Sequence, residues 1–114
     1  MDLNLVVVAG TIATEPEVRT FDSGATLIRY LVTVRTDEPH RRVDVLPVTL
    51  WDPGPAQLAE VPDAAGRFAW VAGSIQRRFW ATHEGRSSRI EIVAHEVKLR
   101  DEPCLADGER PSPV

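Results

Sequence analysis

The stretch Gly73-Ser74-Ile75-Gln76-Arg77-Arg78-Phe79-Trp80 governs the reading of this chain. A strand-like run over residues 68–75 leads into two arginines and two adjacent aromatics. The chain then turns through His83-Glu84-Gly85-Arg86 and re-enters a strand over residues 90–99. Aromatic rings at the end of a strand are costly to leave in water, and guanidinium groups beside them are costly to bury. A nucleic-acid base over Phe79 or Trp80, with Arg77 and Arg78 at the phosphates, satisfies all four side chains. Rings that fill a core edge or a subunit contact, with the arginines in solvent, satisfy them as well. The stretch alone leaves both readings open.

Working outward, the fourth and fifth strands are expected over residues 67–75 and 89–99, with the basic and aromatic residues in the loop between them. Residues 43–51 form a third strand with the cleanest alternation in the chain. Leu46, Val48 and Leu50 share the face suited to a core, which leaves Trp51 on the opposite, mixed face. Asp52-Pro53-Gly54-Pro55 is a turn, after which residues 56–61 form a short helix with Pro55 in its first turn and Pro62 as its stop. A second strand spans residues 25–35, with Tyr30 assigned to the buried side. A first strand spans residues 3–14 and is apolar on both faces, with Gly10 at a bend or bulge. Glu15-Pro16-Glu17 breaks the pattern, and Asp22-Ser23-Gly24 is a turn signal. Three strands, a short helix and two strands make an all-β chain in the element order of a five-stranded OB-fold barrel, a fold whose strand 2–3 face and loops bind oligonucleotides or oligosaccharides. That order places the loop over residues 36–42, bracketed by Arg35, Arg41 and Arg42, near Trp51 and the stretch from Arg77 to Arg86. Cations and aromatics are then expected to converge on one groove.

Composition sets the outer limits. One hundred and fourteen residues form one domain with a modest core, expected over residues 1–101 and followed by an unpacked tail over 102–114. No apolar run is long enough to span a membrane, and the N-terminus lacks a signal pattern. The single cysteine, Cys104, has no internal disulfide partner, so a cytoplasmic protein is expected. His40, His83, His95 and Cys104 lack metal-ligand spacing, and no metal or cofactor is expected. No nucleophile–base pair or carboxylate cluster points to an enzyme. The net charge of −4 argues against a generally basic nucleic-acid binder. The arginines nevertheless cluster at the two loops, while acids gather at Glu15, Glu17, Asp22, Asp52, Glu60, Asp63 and the tail. All cationic side chains but Lys98 are arginine, which both stacks on rings and forks onto phosphate.

Over residues 3–100 the chain also resembles the bacterial single-stranded DNA-binding protein (SSB) family. The likeness rests on Asn4, Val6 and Gly10; on Pro16-Glu17-Val18-Arg19 and Ser23-Gly24; on residues 45–51; and on Gly66, Val71, Gly73, Arg77-Arg78-Phe79-Trp80 and Gly85. It implies an OB-fold, sequence-tolerant binding of single-stranded DNA in replication, recombination or repair, and a nucleoid-associated location. Homo-oligomers are implied too, tetramers first and dimers second. Trp80 and Trp51 match stacking positions of the family, with Phe79 as a further ring and Arg77, Arg78, Arg86, Arg35, Arg41 and Arg42 at the phosphates. The chain departs from the family at Val45, where an aromatic is usual, at residues 36–42, which lack a ring, and at Ala65, where a basic residue is common. It also ends without the family's acidic, phenylalanine-terminated tip, so recruitment of replication proteins is not expected. These departures keep an alternative in view: a PriB-like OB module acting mainly through protein contacts.

Overall fold

The computed structural model describes residues 1–102, so the expected tail lies outside the described residues in all but its first position. Six strands and one short helix follow in the order β1 (Val6–Ile12), β2 (Glu17–Thr20), β3 (Thr26–Thr36), β4 (Arg42–Trp51), α1 (Pro55–Glu60), β5 (Phe68–Thr82) and β6 (Gly85–Arg100). A single 3-10 turn, Val61–Asp63, extends the helix. Five of the strands close a ring: β1 pairs with β5, β5 with β6, β6 in parallel with β4, β4 with β3, and β3 back with β1. This is the expected five-stranded barrel, with α1 between the third and fourth barrel strands.

Closure depends on β1 changing partners. Residues 6–11 pair with β5, and Thr11 and Ile12 then pair with Val32 and Thr33 of β3. At this crossing a Cβ on Gly10 would collide with the Thr33 carbonyl oxygen, so only glycine lets the two backbones approach. The second close approach is at Gly73, where a Cβ would strike the Val93 carbonyl. A register shift lies there, because Ala72 pairs with Glu96 but Gly73 with Ala94, leaving His95 as the extra residue.

The core forms from the inward positions of every barrel strand, among them Ile12, Ile28, Tyr30, Val32, Val48, Val71 and Ile92, all buried. Leu50 is buried and Leu46 packs against the cluster, which matches the face assigned to residues 43–51. Tyr30 is buried as expected; its burial, with the Glu60 carboxylate adding, pushes the hydroxyl up to about 12, so it stays neutral. Ala64 and Val61, beyond α1, pack against the same core.

Two boundaries differ from the sequence reading. The first strand is shorter than the expected 3–14, and a strand the sequence reading did not include follows it: after Ile12 the chain detours through Pro16 and forms β2 on the free part of β3. β2 shows no alternation because all four of its residues are exposed. The larger difference is that β5 and β6 do not end at residues 75 and 89. They stay paired out to Thr82 and Gly85, leaving only His83 and Glu84 as the turn. Beyond Ile75 and Ile92 no third strand pairs with this hairpin, so a two-stranded ribbon projects from the barrel. At ~3.3 Å per residue, residues 76–82 extend roughly 20 Å, and the molecule measures 54 × 33 × 31 Å. No helix among the described residues is long and apolar enough to cross a membrane.

Candidate nucleic-acid interface

Trp80 is on a strand rather than in a loop, and strand geometry decides what surrounds it. On β5 it shares a face with Arg78; cross-strand pairing puts Ser87, Arg89 and Glu91 of β6 on that face. The Arg89 guanidinium lies 5.6 Å from the Trp80 ring centroid, within cation–π range. Arg78 Nε sits 3.5 Å from Oε1 of Glu91, whose Oε2 accepts a hydrogen bond from the Thr49 hydroxyl at 3.1 Å. Thr49 and Glu91 are both buried.

Thr49 ties the ribbon to the barrel. Two residues on along β4, on the same outer face, is Trp51, 39% exposed, with Phe21 stacked on it at 5.7 Å and 26° between planes. Trp51 therefore faces away from the core, as its place in the alternation requires. Its neighbour Leu27 across β3 is buried outside the main core cluster. The same outer face carries Arg29, Leu31 and Arg35 on β3 and exposed Val43 and Val45 on β4. Arg29 is half-buried opposite Glu17, whose carboxyl is held below its usual range by the hydrogen bond and charge of Arg19, with Arg29 adding. Shared strand faces and side-chain contacts thus link Phe21 and Trp51, through the buried Thr49 and Glu91, to Arg78 and Trp80 on the outer side of the molecule.

The other expected residues fall elsewhere. Phe79 follows Arg77 on the opposite face of the ribbon, so it cannot join Trp80 on one surface. Arg86 lies over the Phe79 ring at 5.3 Å, and Arg77 donates to the Ser88 hydroxyl at 3.1 Å. The expected convergence on one groove is therefore corrected: adjacent residues of a fully paired strand must point to opposite sides. The loop over 37–41 is shorter than expected, since Arg35 pairs with Val43 and Thr36 with Arg42. Arg42 donates from Nε to both Asp44 carboxylate oxygens at 2.9 and 3.1 Å, and Arg41 lies 4.0 Å from Asp37. Arg35, Thr36, Asp37, Arg41, Arg42 and Val43 line one depression of about 420 Å³.

Sequence reasoning passed over two contacts. Phe21 immediately precedes the Asp22-Ser23-Gly24 turn signal and gains its role only through the stack on Trp51. Arg89 stands at the start of the expected fifth strand; the tight turn at His83 and Glu84, within the His83-Glu84-Gly85-Arg86 signal, is what brings it to Trp80.

A model of the Single-strand binding protein family matches residues 3–100. The chain belongs to this family. Among similar proteins, Single-stranded DNA-binding protein 1 of a Nostoc species is 26% identical over 93 residues, which cover 82% of this chain and 77% of that one. The Single-stranded DNA-binding protein of Anabaena variabilis matches to the same extent, 26% over 93 residues. The solved structure of the Plasmodium falciparum SSB complex with ssDNA superposes with a TM-score of 0.76 at 19% identity, covering 89% of this chain and 97% of that one. At that identity the last likeness concerns the fold, and it agrees with the barrel described above.

Proposed function

We propose that this protein binds single-stranded DNA without strong sequence preference and acts as a binding protein, not an enzyme, in replication, recombination or repair. The observation that carries the reading is that Trp51 and Trp80 both lie on the outer side of the sheet, linked by the Thr49–Glu91–Arg78 contacts. It presents two part-exposed indoles, at 39% and 41%, with Arg35 and Arg89 on the same side, while Arg78 is held by Glu91. Indoles offer a stacking surface that every base can use, and guanidinium groups between them meet the backbone phosphates. Family membership and the names of its relatives support the same reading. Arg41 and Arg42, whose charges are shared with Asp37 and Asp44, act as outlying phosphate contacts on the rim of the Arg35 depression. The assembly is a homo-oligomer in the cytoplasm, on the nucleoid.

The test is a titration of intrinsic tryptophan fluorescence with oligo-dT and with duplex of equal length. Oligo-dT is expected to quench emission and to bind far more tightly, because duplex bases are already stacked on one another. Equal affinity for both forms would leave charge as the sole attraction and overturn the stacking mechanism. The adaptor reading, in which protein contacts dominate, would then take its place.

A further inference from the structure

The ribbon that carries Trp80 has a second face, apolar and basic in composition. Ile75, Arg77, Phe79 and Ala81 of β5 share it with Arg86, Ser88 and Ile90 of β6. Further along the same strands, this is the face that carries Val71 and Ile92 into the core. Past the barrel mouth it has nothing to cover: Phe79 is 56% exposed, the most exposed aromatic ring among the described residues, and Ile75 and Ile90 are exposed as well. No residue on this face is acidic, so its two arginines are unopposed there, whereas the Trp80 face includes Glu91. Exposed ring, apolar floor and unopposed guanidinium groups suit a polyanion with flat apolar groups.

Resting on the function proposed above, the geometry points to a hairpin that holds single-stranded DNA on both faces. The strand that stacks a base on Trp80 continues around the ribbon and stacks another on Phe79, with Arg86 and Arg77 at the flanking phosphates. A two-stranded ribbon is narrow, with strands ~4.8 Å apart, so a few nucleotides suffice to round it. Arg86 over Phe79 and Arg89 over Trp80 hold the two rings in matching poses before the DNA arrives.

Length dependence tests this. Labelled oligo-dT of about 5 and about 16 nucleotides, near the limits of site size for one OB-fold, are titrated against wild type, Phe79→Ala and Trp80→Ala. Trp80→Ala is expected to weaken both oligomers about tenfold, while Phe79→Ala weakens the long one about tenfold and leaves the short one within about twofold. Phe79→Leu, which keeps the apolar bulk but not the π-face, should resemble Phe79→Ala. Equal losses on the short oligomer would place both rings in one binding stretch and overturn the proposal. So would an unchanged long-oligomer affinity, or a Phe79→Ala change in molar mass by light scattering, which would mark the face as a contact between copies. If Trp80→Ala has no effect at either length, it is the underlying DNA-binding reading that falls.

Discussion

Arg78 and Arg89 stand directly opposite each other across the hairpin, an arrangement that repels unless each charge has somewhere else to go. Both find a diagonal partner: Arg78 turns to Glu91, and Arg89 turns over Trp80. The two arginines therefore have different tasks. Arg89 keeps its full charge beside the ring, while Arg78 neutralises a buried carboxylate and holds the ribbon to Thr49. Arg89→Ala is expected to lower the magnitude of the slope of log affinity against log salt by about 0.7, as for one lost phosphate contact on a single strand. Arg78→Ala should change that slope little and instead reduce stability, because Glu91 is left uncompensated. The loss should fall between ~0.2–1 kcal/mol, as for an exposed pair, and ~3–5 kcal/mol, as for a buried one. Adding Glu91→Gln should restore it. A salt titration and a urea melt of the same variants check this; a full 0.7 drop in slope for Arg78→Ala at wild-type stability would make Arg78 a phosphate ligand instead.

At the scale of elements, the β5–β6 hairpin has two parts with different supports. Its lower half is held by β1 on one side and β4 on the other, and its upper half by its own ladder, the diagonal cation–π pairs and the side-chain contacts of Arg77 with Ser88 and Arg78 with Glu91. Asn4 reinforces the junction: its side chain donates to the Ile75 carbonyl at 2.7 Å and accepts from the Ile75 N–H at 2.8 Å, so one amide stands in for another step of the ladder. The register shift at Gly73 sits at this same junction and sets the twist with which the ribbon leaves the barrel. Gly73→Ala would force a Cβ against backbone on β6, where no rotamer change relieves it. It is expected to cost about 1–3 kcal/mol in urea unfolding, the range for overpacking a tight site. Wild-type stability for this variant would show that the two strands can separate there at no cost.

For the molecule as a whole, the outer face of β1 remains to be covered. Leu5 is 63% and Val7 53% exposed, beside Ala9 and, on β5, the half-buried Trp70 and Ala72. The barrel interior takes the alternate residues, Val6, Val8 and Ile12, so among the described residues of one chain nothing buries both sets. A second copy related by symmetry is the natural cover for such a strip. Light scattering at micromolar concentration is expected to report a dimer or tetramer, and Val7→Glu to shift the mass towards monomer. A monomeric wild type would leave Leu5 and Val7 without a subunit role.

Local pattern alone was enough for the element order of the barrel, the inward face of residues 43–51 and the burial of Tyr30. Alternation at Leu46, Val48 and Leu50 is a local property of residues 43–51, and it put Trp51 outside before any partner strand was known. It also contained the turn signals and the helix between Pro55 and Pro62. What it could not contain was the length of the hairpin. Gln76, Arg77 and Arg78 have no apolar alternation, so periodicity ends where burial ends; their strand conformation comes from the ladder to β6. That pairing is a tertiary fact, and everything about the site follows from it. It separates Phe79 from Trp80, seats Arg89 over one ring and Arg86 over the other, and draws Arg78 to a buried glutamate 13 residues away in sequence. The stack of Phe21 on Trp51 has the same origin, since only the β3–β4 register brings a turn and a strand end together. Local patterns record which way a side chain must point, whereas cross-strand register decides what it meets there.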